Sequence, residues 1–238
     1  MNIRTEYKTG HGRCLLITGG TLEAAFAASW FHRTENAEQD TWDHVIAADA
    51  GLKVCREAGI FPDHIVGDFD SLVLQDAEGE LLESYQRAGS VIRRYKPEKD
   101  FTDTQIGAEL ALELGCDRIT VLGGTGSRID HVLGNLQTME LVMRQGADMI
   151  LVDPANRISM HREPFRIRRS AQWGHYVSLI PWGGDVKGLT LRGFKYPLTN
   201  ADFPSAGSLG ISNEVAEEEG VVTFAGGTLI MVESRDLV

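Results

Sequence analysis

Short apolar runs alternate with helix-like stretches over the first two thirds of the chain. The apolar runs predict six strands, at residues 14–18, 44–48, 64–66, 90–95, 118–122 and 149–152. The intervening stretches predict five helices, at residues 22–31, 52–58, 74–87, 102–114 and 129–144. Strands that alternate with helices form right-handed crossovers, so this part predicts a Rossmann-like α/β domain with a largely parallel sheet.

The pattern changes from about Asn156 onwards. Short alternating segments follow, at residues 176–180, 189–191, 221–224 and 229–232, and glycines and prolines separate them. No long helical pattern is present there, which favours an antiparallel β-sandwich. We place the boundary at Asp153-Pro154, giving an α/β domain at 1–153 and a β domain at 154–238.

Composition narrows the class of partner. The 238 residues are 42% apolar and 24% charged, which is enough to bury a sizeable core. The net charge of −11 argues against nucleic acid or an anionic membrane as the main partner. A basic run at residues 162–169 is the exception, and we interpret it as a solvated strand and turn.

The cysteines and the start of the chain bear on location. Cys14, Cys55 and Cys116 are odd in number and lack metal-type spacing, so we expect reduced core thiols. The polar start has no apolar signal stretch, and no later run approaches the ~20 apolar residues that span a bilayer. We therefore expect a cytoplasmic protein that contacts no membrane.

Acids and glycines follow five predicted strands. These turns are at Gly19, Asp49, Asp68, Asp100 and Gly123. In a parallel sheet the turns after the carboxyl ends share one edge, where ligands bind at a switch in strand order. The sequence therefore predicts one ligand site built from distant segments. We expect Asp49 to orient a ligand hydroxyl there, with a turn residue as the alternative.

The motif Gly67-Asp-Phe-Asp-Ser71 carries two acids two residues apart. In extended backbone Asp68 and Asp70 would share one face while Phe69 pointed to the other. Carboxylate oxygens suit Mg²⁺, although a turn that uses Asp and Ser to satisfy its own backbone is the simpler alternative. Asp100 and Asp103 at the next strand end favour the metal.

The stretch 96–105 crowds lysines and acids at a predicted helix start. Thr102 is a typical N-cap, and a helix N-terminus favours phosphate. Acids beside phosphate need a cation between them, so the stretch indicates a Mg²⁺-nucleotide site.

The motif Gly123-Gly-Thr-Gly-Ser-Arg-Ile-Asp-His131 supplies flexible backbone and a guanidinium. At Gly123 and Gly124 the absence of side chains lets backbone N–H groups approach phosphate, and Arg128 is a fork-shaped phosphate donor. The alternative is an ordinary strand-to-helix turn. We interpret His131 as a polar residue satisfied beside the helix start, with a general base as the alternative. Neither a Walker-type P-loop nor a dinucleotide fingerprint occurs.

Taken together, six motifs in this order resemble those of bacterial thiamine pyrophosphokinases. They are Asp49-Ala-Gly, Gly67-Asp-Phe-Asp-Ser, Lys99-Asp-Phe-Thr-Asp-Thr, the Gly123–His131 motif, Gly193-Phe-Lys-Tyr-Pro-Leu and Gly210-Ile-Ser-Asn. The resemblance spans residues 15–232, and its middle three motifs are highly specific. It implies an α/β nucleotide domain, a β-sandwich, and a homodimer that binds thiamine between its subunits. It also implies transfer of the diphosphoryl group of ATP to the thiamine hydroxyl, with release of AMP.

The resemblance also assigns roles. Asp68, Asp70 and Asp103 would hold Mg²⁺ with Asp100 adjacent, and the residues lining ATP would be Asp49, Lys99, Thr102, Arg128 and Asp130. Ser212 and Asn213 would meet the thiamine pyrimidine. We expect a catalytic set of Asp70, Asp100, Asp103 and Arg128, in which Asp100 or Asp103 takes the hydroxyl proton.

One feature departs from the family pattern. Animal members cover thiamine with a late-strand tryptophan, whereas this chain has Gly-Thr-Leu-Ile-Met at 227–231. Trp182 is a candidate replacement, although a packed or rim tryptophan is the simpler interpretation.

Two other functions fit part of the pattern. A sugar-nucleotide transferase would also use Asp68 and Asp70 with Mg²⁺, but it would ignore thiamine. A sensor of nucleotide or thiamine would bind its ligands without forming AMP.

Overall fold

The structure is a computed structural model that describes residues 11–32, 41–69, 76–95 and 101–237, with the backbone alone described at 76–80. The chain divides into two compact units, Met1–Asp153 and Pro154–Val238. Each unit has its own arrangement of strands.

The described part of the first unit contains six parallel strands. They are β1 (Gly12–Ile17), β2 (His44–Ala48), β3 (His64–Gly67), β4 (Val91–Arg94), β5 (Cys116–Leu122) and β6 (Asp148–Val152). Their spatial order is β4-β3-β2-β1-β5-β6. The chain adds strands outward from β1 in one direction and then returns to its other side, so the order reverses between β1 and β5. Such a reversal opens a crevice at the carboxyl ends of the strands.

Five helices connect these strands in the described part of the unit. They are α1 (Ala24–Phe31), α2 (Gly51–Ala58), α3 (Asp76–Arg87), α4 (Asp103–Glu113) and α5 (Ile129–Arg144). Right-handed crossovers place the helices before and after the reversal on opposite faces of the sheet. Leu15, Leu16 and Ile17 are accordingly all fully buried in β1, because both faces of the strand are covered.

The second unit is an antiparallel β-sandwich. Its strands are β7 (Asn156–His161), β8 (Phe165–Arg168), β9 (Tyr176–Pro181), β10 (Val186–Arg192), β11 (Leu198–Phe203), β12 (Glu219–Thr223) and β13 (Leu229–Ser234). One sheet has the order β7-β13-β9 and the other β11-β10-β12-β8. Leu179 and Met231 from the first sheet pack with Leu189, Leu191 and Val222 from the second in one core.

This architecture confirms the predicted fold class of a parallel α/β part followed by an antiparallel β-sandwich. The basic run holds β8, where Ile167 is buried between exposed Arg166 and Arg168, as a solvated strand requires. The three cysteines are free and buried, and burial raises the pKa of the Cys55 thiol to about 12. Of the helices in the described ranges, none combines the length and apolar character needed to cross a bilayer.

The sequence analysis missed two strands, β7 and β11, and it predicted β8 from the basic run alone. β11 runs along the edge of its sheet, and Phe203 is its one buried residue. Because an edge strand needs few apolar positions, Leu198–Phe203 carries almost no period-two signal.

Candidate active site

A cavity of about 440 Å³ opens where the strand order reverses. Its walls come from the carboxyl ends of β1, β2 and β5 and from the start of α4. The lining comprises residues 18–21, 48–50, 102–104 and 123–128, together with His131, Val132 and Asn135. The predicted shared edge is therefore a physical pocket.

Backbone-to-backbone contact closes the floor of this cavity. A Cβ atom added at Gly20 would lie 2.0 Å from the Gly123 carbonyl oxygen and 2.7 Å from that of Thr125. Gly123 itself has φ of 77°, and a Cβ there would lie 2.5 Å from the Thr18 carbonyl oxygen. Only glycine fits either position, which fixes residues 123–128, here called the glycine-rich loop, against residues 18–21.

Several backbone N–H groups of the cavity lining have no hydrogen-bond acceptor among the described residues. Within the described residues, none of the N–H groups of residues 19–21 or 124–128 donates a hydrogen bond to the protein. The residues that carry these donors line a cavity that also contains the N-terminus of α4. Both features favour an anion. A polyphosphate is the kind of ligand that satisfies several N–H groups at once.

The start of α4 brings a carboxylate beside these donors. Thr102 caps the helix as predicted, since its hydroxyl accepts a hydrogen bond of 3.2 Å from the N–H of Gln105. Asp103 is the first helical residue and lines the cavity half-buried. Asp49 reaches the same cavity from the end of β2, in left-handed backbone with φ of 47°.

Arg128 enters the cavity as half of an ion pair. Its Nη2 lies 2.6 Å and its Nε 3.3 Å from the two carboxylate oxygens of Asp130. The pair lowers the pKa of Asp130 and raises that of Arg128. Both side chains remain exposed, so the guanidinium is oriented by its partner and still open to a ligand.

The structure brings six of the predicted ligand-binding residues to the cavity lining, namely Asp49, Thr102, Asp103, Gly123, Gly124 and Arg128. Asp130 meets the cavity through Arg128. Asp68 follows β3 and is not part of the lining. The predictions for Asp70, Lys99 and Asp100 concern residues outside the described ranges. Among the residues that are described, no three His, Cys, Asp or Glu side chains form a group able to hold a metal.

The extended backbone assumed at Phe69 is wrong. Phe69 has φ of 60°, in the left-handed region, and its side chain is fully buried. The chain therefore bends sharply at Phe69 to place the ring in the core, so the alternation of a strand does not apply to the flanking acids.

The loop at residues 208–213 of the second unit, here called the Ser-Asn loop, holds the two residues predicted to meet thiamine. Asn213 is buried, and its Oδ1 accepts hydrogen bonds from the N–H groups of Tyr196 (3.1 Å) and Glu214 (2.8 Å). Its Nδ2 donates to the Tyr196 carbonyl at 2.9 Å. Ser212 is exposed, with φ of 56°. Trp182 is half-buried in the turn after β9, as expected of a rim tryptophan.

Sequence reasoning missed the residues that anchor the glycine-rich loop. Asn135 in α5 donates a 2.6 Å hydrogen bond to the Gly124 carbonyl and is only 4% exposed. The Thr125 hydroxyl donates to Asp153 at 2.8 Å. A signal for Asn135 does exist, because Asn135, Met139 and Val142 form the buried face of α5 at i, i+4 and i+7. A polar residue on such a face needs a specific partner.

Family models and a relative of known function match both units of the chain. A family model described as thiamin pyrophosphokinase, catalytic domain, matches residues 37–151, and one described as the vitamin B1 binding domain of the same enzyme matches residues 164–229. The thiamine pyrophosphokinase of Bacillus subtilis (strain 168) is 36% identical over 191 residues, covering 80% of this chain and 87% of the relative.

Two solved structures are similar over nearly the whole chain. The Bacillus subtilis thiamine pyrophosphokinase has a TM-score of 0.79 at 33% identity, covering 94% of this chain and 100% of that one. The Geobacillus thermodenitrificans thiamin pyrophosphokinase has a TM-score of 0.78 at 31% identity, covering 94% and 98%.

Proposed function

The chain belongs to the thiamine pyrophosphokinase family, and we propose that it uses ATP as the diphosphoryl donor, with Mg²⁺, and releases AMP. As a member of that family it is an enzyme that forms thiamine diphosphate by pyrophosphoryl transfer. The donor, the metal, the attacked phosphorus and the residue roles are the parts proposed here.

The N–H groups that have no protein acceptor among the described residues are the main support for ATP as the diphosphoryl donor. A triphosphate spreads its charge over several oxygens, and each N–H of residues 19–21 and 124–128 can meet one of them without displacing a protein partner. Arg128 adds a fork-shaped cation at the mouth of the same cavity. The Asp49 carboxylate suits a ribose hydroxyl, which would donate to it.

Magnesium fits the chemistry of the donors at this edge. Asp68, Asp70, Asp100 and Asp103 would hold it, because carboxylate oxygens are the ligands that Mg²⁺ prefers. Asp103 supports the assignment by lining the cavity, while Asp70 and Asp100 lie outside the described residues. When bound, the metal would offset charge on the phosphate oxygens.

The reaction itself needs little covalent work from the protein. The thiamine hydroxyl oxygen would bond to the β-phosphorus in line with the leaving group. The bond from that phosphorus to the α–β bridging oxygen would break, and AMP would leave with its electron pair. Asp100 or Asp103 would take the hydroxyl proton, and Arg128 would stabilise the charge on the transferred group.

Ser212 and Asn213, the two residues predicted to contact thiamine, would have different roles. The Asn213 amide is committed to Tyr196 and Glu214, so its role would be to shape the loop. Ser212 keeps an exposed hydroxyl that can meet the pyrimidine. We further propose a homodimer with thiamine bound between subunits, as the family resemblance implies. The cytoplasmic location stays a prediction.

Product analysis tests the proposal. Purified protein would be incubated with thiamine, ATP and Mg²⁺, and thiamine diphosphate, thiamine monophosphate, AMP and ADP would be quantified by chromatography. We expect thiamine diphosphate and AMP in equal amounts. ADP with thiamine monophosphate would mean a simple kinase, and ligand binding without product would mean a sensor. Transfer from a nucleotide sugar with thiamine ignored would mean a sugar-nucleotide transferase.

A further inference from the structure

Asn135 is a buried polar residue on the apolar face of α5. It is 4% exposed, and its Nδ2 donates a 2.6 Å hydrogen bond to the carbonyl oxygen of Gly124. Gly124 is eleven residues away and belongs to the glycine-rich loop. A hydrogen bond this short and this buried holds the Gly124 peptide in one orientation.

The neighbouring carbonyls of the loop are also packed against other backbone atoms. Those of Gly123 and Thr125 lie against Gly20, where a Cβ would be 2.0 Å and 2.7 Å away. The Thr125 hydroxyl anchors the same segment to Asp153 at 2.8 Å. Contacts with the protein thus hold three consecutive carbonyls in place, while the N–H groups of residues 124–128 have no acceptor among the described residues.

We propose that Asn135 is a positioning residue for diphosphoryl transfer, which acts by holding the Gly124 carbonyl out of the phosphate site. This inference rests on the proposed binding of ATP in the cavity. A carbonyl oxygen rotated into the site would place partial negative charge against phosphate and would remove N–H donors from it. Although Asn135 lines the cavity, its amide is bonded to the Gly124 carbonyl, so its effect passes through the loop.

Two substitutions test the role. Asn135→Leu keeps the branching at Cγ but has no donor, and Asn135→Asp keeps the shape but puts a carboxylate oxygen against the Gly124 carbonyl. Thr138→Val is the matched control. Thr138 lies on the same helix and is 3% exposed, but its hydroxyl bonds within the helix to the Gly134 carbonyl at 3.0 Å.

The expected result is a loss specific to the phosphates. In Asn135→Leu and Asn135→Asp, kcat/KM for ATP should fall by about tenfold to a hundredfold, since small misplacements of a positioning loop cost this much. The KM for thiamine should stay close to that of Thr138→Val, while the Tm should fall in both Asn135 variants because the buried Gly124 carbonyl loses its donor. By calorimetry with Mg²⁺, the Kd of α,β-methylene-ATP should rise at least tenfold, while that of adenosine should change less than twofold.

A general structural role would give a different pattern. If kcat/KM for ATP in Asn135→Leu stayed within twofold of Thr138→Val, or if adenosine and α,β-methylene-ATP lost affinity equally, the positioning role would be overturned. The wild-type product assay separates this from failure of the proposed function. A wild-type protein that forms no thiamine diphosphate from ATP would contradict that function, and the analogue titration would still report on Asn135.

Discussion

The glycine-rich loop and the Ser-Asn loop both hold candidate ligand-binding residues, but their backbone donors are in opposite states. In the Ser-Asn loop and the residue after it, the N–H groups of Ile211, Ser212, Asn213 and Glu214 all donate within the protein. In the glycine-rich loop, none of the N–H groups of residues 124–128 does so among the described residues. The glycine-rich loop therefore offers main-chain donors to a ligand, whereas the segment at residues 211–214 can offer only side-chain donors.

This contrast suits the two proposed ligands. Phosphate oxygens carry delocalised charge that several weak, fixed donors can share. The thiamine pyrimidine has a few directional groups, which an individual hydroxyl recognises better. The open N–H groups of the glycine-rich loop and the paired N–H groups of residues 211–214 are then different solutions to different ligands.

The largest effect is expected at Asp103. Asp103→Asn should lower kcat by about a thousandfold or more, because it removes a carboxylate from the cavity at the start of α4. Steady-state kinetics and circular dichroism would show lost turnover in a folded protein. Asp148→Asn, at the exposed start of β6, is the control, and wild-type-like kcat in Asp103→Asn would contradict the site.

Arg128 tests the cation at the cavity mouth. Arg128→Ala should cost about 2–4 kcal/mol of transition-state stabilisation, measured as kcat/KM for ATP. Stability should hardly change, since its ion pair with Asp130 is exposed. Arg118→Ala removes another exposed arginine as the control. A loss below tenfold would tell against the phosphate role.

Two substitutions in the Ser-Asn loop should have different effects, one on stability and the other on thiamine binding. Asn213→Ala leaves three backbone groups of Tyr196 and Glu214 without their partner, so the free energy of unfolding should drop by about 2–4 kcal/mol in urea. Ser212→Ala should leave stability nearly unchanged and raise the KM for thiamine a few-fold. The opposite pattern, with Asn213 affecting binding and Ser212 stability, would reverse the assigned roles.

A smaller effect concerns acid sensitivity of the second unit. Burial lowers the pKa of His161 to about 4, while the unfolded side chain titrates near 6.5. The unfolded state binds the proton first as the pH falls, so the free energy of unfolding should decrease between these pH values by up to about 3 kcal/mol.

His161→Gln removes this titration and keeps a polar partner for Ser159, which lies 2.8 Å from the His161 ring. Urea unfolding from pH 7 to pH 4 should show a flatter decline in the variant. Parallel declines in variant and wild type would show that other groups cause the acid sensitivity.

Continuous apolar runs made much of the fold predictable. β2 and α5 occupy the predicted residues 44–48 and 129–144, because a buried parallel strand and a long amphipathic helix each impose a strong pattern. β7 was missed, since Arg157 interrupts its apolar positions while pairing with Glu233. Cross-strand ion pairs of this kind leave no trace in local periodicity.

The site was predictable to the extent that it follows strand ends. Asp49, Asp103 and Gly123 meet because parallel strands end at one edge, which topology alone dictates. Asn135 was missed because its partner is a backbone carbonyl, and backbone orientation is set by tertiary contacts. The bend at Phe69 was missed for the same reason, since a non-glycine residue gives no warning of positive φ.

The most direct test of the central contrast is amide NMR during ligand binding. Labelled protein would be titrated with α,β-methylene-ATP and Mg²⁺, with calorimetry confirming that the analogue binds. We predict large shifts for the amides of residues 19–21 and 124–128, and little change for residues 211–214, whose N–H groups are already paired. Analogue binding that leaves the amides of residues 19–21 and 124–128 unmoved would contradict the account.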